Sequence, residues 1–433
     1  MGLGLLGRGL GDAEFFLKEG AELIITDLKS KEQLAESIEK LKSFGDPTYV
    51  LGEHRLEDFR NRDLILKAAG VPIESPFIAE ARKNNIPIEM DASLFAKLAP
   101  GVIIVGVTGT RGKTTTTMLI YEIVRKAFGG SMQNVFLAGN IRGTATLPLL
   151  DEAKRGDIVV MELDSWQLQG FGDSKLSPHI SVFTNFMNDH LNYYKGDLEK
   201  YLHDKAQIFL HQKQNDYLVT TTSVAHLITA KYLPAQAGFG RPFHPPVVAV
   251  ANDVPQDWKL LMPGEHNKEN VALAIHVARI LGIRDEVTQG VVESFRGVSG
   301  RLELVKTYKG INIYNDTTAT TPDATLAALK ALGNKTVLIM GGADKTLDMT
   351  KLTESLPSLT KAVILLPGTG SDKLELEGVH RVKSLDMALE KALNMAEEGD
   401  IVLFSPAFAS FGMFKNEYDR GDQFMALVQK LDE

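Results

Sequence analysis

"VGVTGTRGKTTTT", residues 105–117, decides how this sequence folds. The apolar run "GVIIVGVTG" leads into it, and the run of threonines opens a helical pattern. Strand, glycine turn and helix in that order form an anion site, because backbone N–H groups at a helix N-terminus point at the ligand and glycines let it approach. Gly112-Lys113-Thr114 matches the end of the G-x-x-x-x-G-K-[ST] phosphate loop. The opening glycine of that pattern is replaced by Val107, and glycines stand at 106, 109 and 112 instead. The loop is therefore not of the commonest kind. Lys113 is expected to reach the β- and γ-phosphates of a nucleotide, with the Thr114 hydroxyl as a ligand to Mg²⁺. Gly109, Thr110, Arg111, Gly112 and Thr115 complete the expected nucleotide cradle.

Outward from the loop, short apolar runs alternate with helical patterns: "AELIITD", "DIVVMEL", "HISVFTNF", "KTVLIMGG", "KAVILLPG" and "DIVLFSP". Continuous Val/Ile-rich runs are expected of parallel strands covered on both faces. The class is α/β, with ligands at the carboxyl ends of strands. Three domains are expected: a Rossmann-like domain over residues 1–91, a central nucleotide-binding parallel-sheet domain over 92–298, and a Rossmann-like C-terminal domain over 299–433. The last opens with "GRLELVKTYKGINIYND", which reads as a hairpin. The glycine turn "GLGLLGRGLG" normally follows a first strand. Met1 sits directly on it, so apolar residues encoded just upstream are expected, and an intact mass of the native protein tests this.

The chain has 433 residues, is 44% hydrophobic and 24% charged, and fits an ordinary globular protein. A net charge of −8 gives no case for nucleic acid as a partner. The absence of cysteine excludes disulfides, thiolate zinc sites and a thiol nucleophile. No apolar run is long enough for a membrane span and no signal peptide is recognised, so a cytoplasmic monomer is the expectation.

Several residues outside the loop stand where chemistry is expected. Glu162 ends the run "DIVVMEL", where a carboxylate faces the ligand crevice and can hold Mg²⁺ opposite Thr114; alone, an acid at a strand end is commonplace. In "GDLEKYLHDKAQIFL", Leu198, Leu202 and Phe209 lie at i, i+4 and i+11, and Lys205 completes the stripe at i+7. Burial disfavours the charged form of such a lysine. Spacing alone fits a lysine whose stem follows the stripe and whose ammonium reaches water. Asn267 and Asn270 share one face of a first helical turn, and a capping role is the plain reading. Thr321 reads as an N-cap with Pro322 as the first helical residue.

T-G-T-x-G-K-[ST]-[ST] resembles the nucleotide loop of the Mur ligases and the related folylpolyglutamate synthases. The resemblance runs in order through "AGNIRG", "ELDSWQL", "NFMNDHLNYY", "KYLHDKAQIF", "GEHNKENVALA", "GRLE", "YNDTTATTPDAT", "GGADK" and "SPAFASFGMFKNEYDRGDQF", covering nearly the whole chain. It implies an ATP-dependent ligase that joins a carboxylate to an amine through an acyl phosphate, with ATP and Mg²⁺ required. The last motif narrows the implied substrates to UDP-N-acetylmuramoyl-L-alanine and D-glutamate. The resemblance further implies that Lys113, His190 and Lys205 serve catalysis, with His190 and a carbamylated Lys205 as ligands to a second Mg²⁺. Asn267, Asn270, Arg301 and Asp316 would contact ATP, although a surface ion pair is the bland reading of the last two. Lys345 and Ser410 would hold the amino acid's carboxylates. Leu5, Leu6, Asp27 and Asn140 would grip the uridine nucleotide, although a glycine turn followed by an acid suits any dinucleotide fold. Three positions depart from the family: Thr318 stands where many members have lysine, Arg111 where many have a neutral residue, and Glu417 where many have an aromatic residue. Rival readings are a related ligase for another amino acid and a nucleotide-binding protein without catalysis.

Overall fold

The structure, a computed structural model, describes residues 1–5, 7–232, 244–333 and 335–432. The chain divides into two compact units: residues 1–256 with 269–291, and residues 257–268 with 292–433.

The first unit contains four short strands near its N-terminus: β1 (Ile24–Asp27), β2 (Thr48–Leu51), β3 (Ile65–Leu66) and β4 (Ile88–Glu89). They form two parallel pairs, β1 with β2 and β3 with β4. The unit's main sheet follows: β5 (Ile103–Thr108), β6 (Val135–Gly139), β7 (Ile158–Glu162), β8 (Ile180–Phe183), β9 (Tyr217–Thr221) and β10 (Val247–Ala249). All pairings in it are parallel, in the order β10-β9-β8-β5-β7-β6. Val105, Val107, Val159, Val160 and Val182 are wholly buried, which is why β5, β7 and β8 read as unbroken apolar runs. At Gly139 a Cβ would lie 2.1 Å from the Glu162 carbonyl oxygen, so only glycine lets the end of β6 close on the end of β7.

The second unit holds β11 (Glu303–Tyr308), β12 (Ile311–Asn315), β13 (Thr336–Met340), β14 (Ala362–Leu365), β15 (His380–Arg381) and β16 (Ile401–Phe404), in the order β11-β12-β16-β13-β14-β15. β11 and β12 are antiparallel, as the expected hairpin requires, and the other pairings are parallel. Two apolar clusters lie in this unit, one containing Ile313, Val337, Ile339, Val402 and Phe424, the other Leu338, Met340, Leu365, Leu403 and Phe408. Thr321 is the N-cap of the helix Pro322–Leu332 by position, but its side chain makes no capping hydrogen bond. Among the described residues no helix is long and apolar enough to cross a membrane.

Candidate active site

The glycine loop lies between the end of β5 and the helix Lys113–Phe128, at the carboxyl end of the sheet. Gly109 has φ +147°, and a Cβ there would lie 1.9 Å from Thr184 Oγ1. The segment after β8 supports the loop from below. Thr110 N donates to the Asn185 carbonyl at 2.9 Å, Arg111 N donates to Asn185 Oδ1 at 2.9 Å, and Thr184 Oγ1 donates to the Arg111 carbonyl at 2.5 Å. Thr110 Oγ1 also accepts Met187 N at 3.0 Å. The loop's shape is thus fixed before any ligand arrives. Lys113 Nζ folds back to the Thr110 carbonyl at 3.1 Å, and Arg111 lies 3.5 Å from Asp189. Burial would raise the Asp189 carboxyl, but Arg111, His190 and Lys113 together hold it below its ordinary value.

On the β7 side, Thr114 Oγ1 donates to Glu162 Oε2 at 2.5 Å, and Asn140 Nδ2 donates to Glu162 Oε1 at 3.2 Å. Glu162 is buried. The structure therefore joins three of the residues singled out by sequence, from three separate elements. A threonine hydroxyl beside a carboxylate is an oxygen donor set of the kind Mg²⁺ takes, completed by water and substrate phosphates. No cluster of three or more His, Asp or Glu side chains suited to a metal occurs among the described residues, so phosphate oxygens would have to supply part of the shell.

Lys205 lies in the helix Leu198–Leu210 and is 1% exposed. The side chain lies on the apolar face as the stripe indicates, but the ammonium does not reach water, contrary to what the spacing alone suggests. Its Nζ donates to the Gly109 carbonyl at 2.8 Å and lies 4.9 Å from the centre of the Tyr201 ring. Burial, and then the neighbouring Lys113, push its pKa well below the ordinary lysine value. A neutral amine of this kind can add CO₂, and the resulting carbamate would offer oxygen donors that the amine lacks. His190 follows with φ +53°, a conformation that costs energy for a side-chain-bearing residue and that is often found at functional positions. Its ring lies 4.9 Å from that of Trp166 and 5.8 Å from that of Tyr201. Burial lowers its pKa despite Asp189, and a neutral imidazole suits metal ligation.

The remaining sequence candidates fall in several places. Asn270 Oδ1 accepts from Thr116 Oγ1 at 3.2 Å, which sets it against the first turn of the helix after the loop. Asn267 Nδ2 donates to the Pro263 carbonyl at 2.7 Å. Asp316 is buried, with Oδ1 accepting Leu302 N at 3.0 Å and Oδ2 accepting Ser405 Oγ at 2.7 Å. Its carboxylate thereby fixes the backbone beside Arg301, which is half-buried. Lys345 is exposed, with Nζ 3.5 Å from Thr320 Oγ1, and Ser410 is buried. Asp27 Oδ2 accepts Gly4 N at 2.9 Å and so ties β1 to the glycine turn, while Leu5 is exposed. Leu6 lies outside the described residues. At the departures, Thr318 Oγ1 donates to the Gly300 carbonyl at 2.9 Å, and Glu417 is the first residue of the helix Glu417–Gln429, capped by Asn416.

Sequence reasoning did not assign Thr184, Asn185 or Asp189, although all three sit in or beside the quoted "NFMNDH". Arg420 was also missed. It is wholly buried and donates to the Thr317 carbonyl at 2.7 Å and the Phe408 carbonyl at 3.2 Å, tying two strand-end loops of the second unit together.

Comparison with known proteins accords with this geometry. Residues 107–236 match the Mur ligase middle domain, and residues 300–408 the Mur ligase glutamate ligase domain. A UDP-N-acetylmuramoylalanine–D-glutamate ligase of Roseiflexus sp. is 35% identical over 99% of this chain and 97% of its own. The enzyme of that name from Borreliella burgdorferi is 35% identical over 100% and 97%, and that from Clostridioides difficile 31% over 99% and 98%. Among solved structures, UDP-N-acetylmuramate–alanine ligase from Thermotoga maritima superposes with a TM-score of 0.57 at 21% identity, covering 99% of this chain and 98% of that one. Folylpolyglutamate synthase from Mycobacterium tuberculosis, solved with ADP, gives 0.57 at 13% identity over 77% and 92%. The chain belongs to the UDP-N-acetylmuramoylalanine–D-glutamate ligase family of the Mur ligases.

Proposed function

We propose that the protein adds D-glutamate to UDP-N-acetylmuramoyl-L-alanine at the expense of ATP, a step of peptidoglycan precursor synthesis in the cytoplasm. The observation that carries the reading is the convergence of Lys113, the Thr114–Glu162 pair and the buried Lys205 on one glycine loop. The curated relatives carry the choice of substrates. The same proposal divides the chain into a nucleotide-substrate domain over residues 1–91, an ATP domain over 92–298 and an amino-acid domain over 299–433.

In this mechanism an oxygen of the substrate carboxylate attacks the γ-phosphorus of ATP. The bond to the β-γ bridging oxygen breaks and ADP leaves. Lys113, with Arg111 held by Asp189, offsets the charge that builds on the transferring phosphoryl group. Thr114 and Glu162 would hold one Mg²⁺, and His190 with carbamylated Lys205 a second. When bound, these ions would neutralise phosphate charge. Loop N–H groups and Asn270 would position the nucleotide. The D-glutamate amine then attacks the acyl carbon of the acyl phosphate, phosphate departs with the bonding pair, and the nitrogen loses a proton. Lys345 and Ser410 would hold the carboxylates of D-glutamate, and Asp27, Leu5 and Asn140 would serve the uridine nucleotide.

Phosphate release from ATP, measured with UDP-N-acetylmuramoyl-L-alanine across a panel of D- and L-amino acids, tests the proposal. Release that requires D-glutamate is expected. Release driven by a different amino acid would overturn the assignment of the acceptor.

A further inference from the structure

His190 is held in place against the preference of its own backbone. Its φ of +53° is unfavourable for a residue with a side chain, and such a conformation persists only where neighbouring contacts over-determine it. Part of the restraint is local. Tyr193 N and Tyr194 N both donate to the His190 carbonyl, at 2.9 and 3.1 Å, within the short helix Leu191–Tyr194. A single helical turn does not hold itself, because fixing the first turn costs more than its bonds return. The rest of the restraint comes from side chains of two longer helices, Ser165–Asp173 and Leu198–Leu210.

These side chains meet at one atom. Asp204 Oδ2 accepts from Tyr194 Oη at 3.0 Å and from Gln169 Nε2 at 2.8 Å, and Gln169 Nε2 also donates to Tyr193 Oη at 3.2 Å. Asp204, Tyr194 and Gln169 are all buried. Both donors to the carboxylate oxygen are neutral, so burying its charge there is costly. Aspartate is also a poor residue for a helix interior. What it provides is a tie from the Lys205 helix to two other elements. Successive side chains on a helix point about 100° apart. Asp204 faces the Tyr194 turn, while Lys205, the next residue, reaches the Gly109 carbonyl at 2.8 Å. Aromatic rings fill the space between. Tyr201 lies 5.0 Å from Tyr194 and 5.8 Å from His190, and Trp166 lies 4.9 Å from His190 and 5.4 Å from Tyr193.

We propose that Asp204, through Tyr194 and Gln169, is a positioning residue that fixes His190 against Lys205 so that both address one cation. The proposal rests on the reading of His190 and carbamylated Lys205 as ligands to a second Mg²⁺. Without the Asp204 acceptor, the Tyr194 hydroxyl is buried without a partner and the turn after His190 loses its tie. His190 then leaves its strained conformation, and each binding of the cation has to order it again.

The test counts Mn²⁺ bound by the full chain loaded with a non-hydrolysable ATP analogue, by electron paramagnetic resonance with bicarbonate present. Two ions per chain are expected for the unmodified protein, and His190→Ala identifies the second by losing it. Tyr194→Phe and Asp204→Ala should weaken that ion by about 10-fold or more and leave the first within about 2-fold. The value of kcat should fall with it, at an unchanged KM for ATP. Asp204→Asn keeps an oxygen acceptor for both donors and should hold the second ion within about 3-fold of the unmodified protein. Tyr194→Phe removes one hydroxyl and keeps the ring, so it reads the tie even where Asp204→Ala folds poorly. Native affinity for both ions in Tyr194→Phe and Asp204→Ala overturns the proposal. Equal weakening of both ions also overturns it, since that marks a merely structural role. An unmodified protein that binds one ion overturns the second-ion reading itself, and the proposal with it.

Discussion

Replacing Glu162 by glutamine separates the metal role of this carboxylate from its structural one. Its oxygens accept from Thr114 Oγ1 at 2.5 Å and Asn140 Nδ2 at 3.2 Å, and the side chain is 2% exposed. Hydrogen bonds to a charged group are worth roughly 1.5–3 kcal/mol, against roughly 0.5–1.5 kcal/mol for neutral ones. Glutamine keeps the shape, and the threonine hydroxyl can rotate to suit the amide. Removing a buried charge also removes its desolvation cost. The two effects oppose each other, so the folded protein should lose about 1 kcal/mol or less, a shift in melting temperature of about 2–4 °C at most. Metal-assisted nucleotide binding behaves differently, because amide oxygen is a much weaker Mg²⁺ ligand than carboxylate. Calorimetric titration of ATP with and without Mg²⁺ should show the Mg²⁺-dependent gain in affinity falling by about 10-fold or more. Metal-free binding should hold or improve, since a negative charge beside the phosphates is gone. A variant with the wild-type Mg²⁺ gain would refute the assignment of Glu162.

Three further predictions follow from the same geometry. Gly109→Ala drives a methyl group into Thr184 Oγ1, which sits 1.9 Å from its position, so it should cost about 1–3 kcal/mol and weaken ATP binding; chemical denaturation and titration check both. Lys205→Ala should abolish turnover while nucleotide still binds, and bicarbonate should partly restore it; full activity without additive would exclude the role given to this lysine. Lys67 is buried against the carbonyls of Ala68 and Val71, and burial lowers its pKa from 10.5 to about 8. Between these values the unfolded chain binds a proton that the native protein does not, so this group makes stability rise with pH over that window and fall as pH drops toward 8. The gap of about 2.5 units corresponds to on the order of 3 kcal/mol. Lys67→Met should remove that slope, and parallel unfolding curves for the two proteins between pH 8 and 10.5 would contradict it.

The parts of the site legible in sequence are those whose signal is local. β5, its loop and the following helix lie within one unbroken stretch, and the helical period places Lys205 on the apolar face, although that spacing alone does not separate a buried ammonium from one that reaches water. β6 and β10 gave weaker signals because they are edge strands with half-exposed residues, Val135–Leu137 and Val247–Val248. Contacts between distant positions were hidden. Asn185 meets Arg111 across 74 residues, and Ser405 meets Asp316 across 89. Nothing in the residues around Asp316 signals that both its oxygens serve to fix loops. The same applies to Thr184, whose hydroxyl makes glycine obligatory at position 109.

In the proposed reaction ATP activates the substrate carboxylate for amide formation in the site built on this loop. The most direct measurement supplies UDP-N-acetylmuramoyl-L-alanine with both carboxylate oxygens labelled as ¹⁸O, together with ATP and D-glutamate, and weighs the products. One heavy oxygen is expected in the released phosphate and one retained in the new amide. Unlabelled phosphate, or phosphate release without a ligated product, would contradict it.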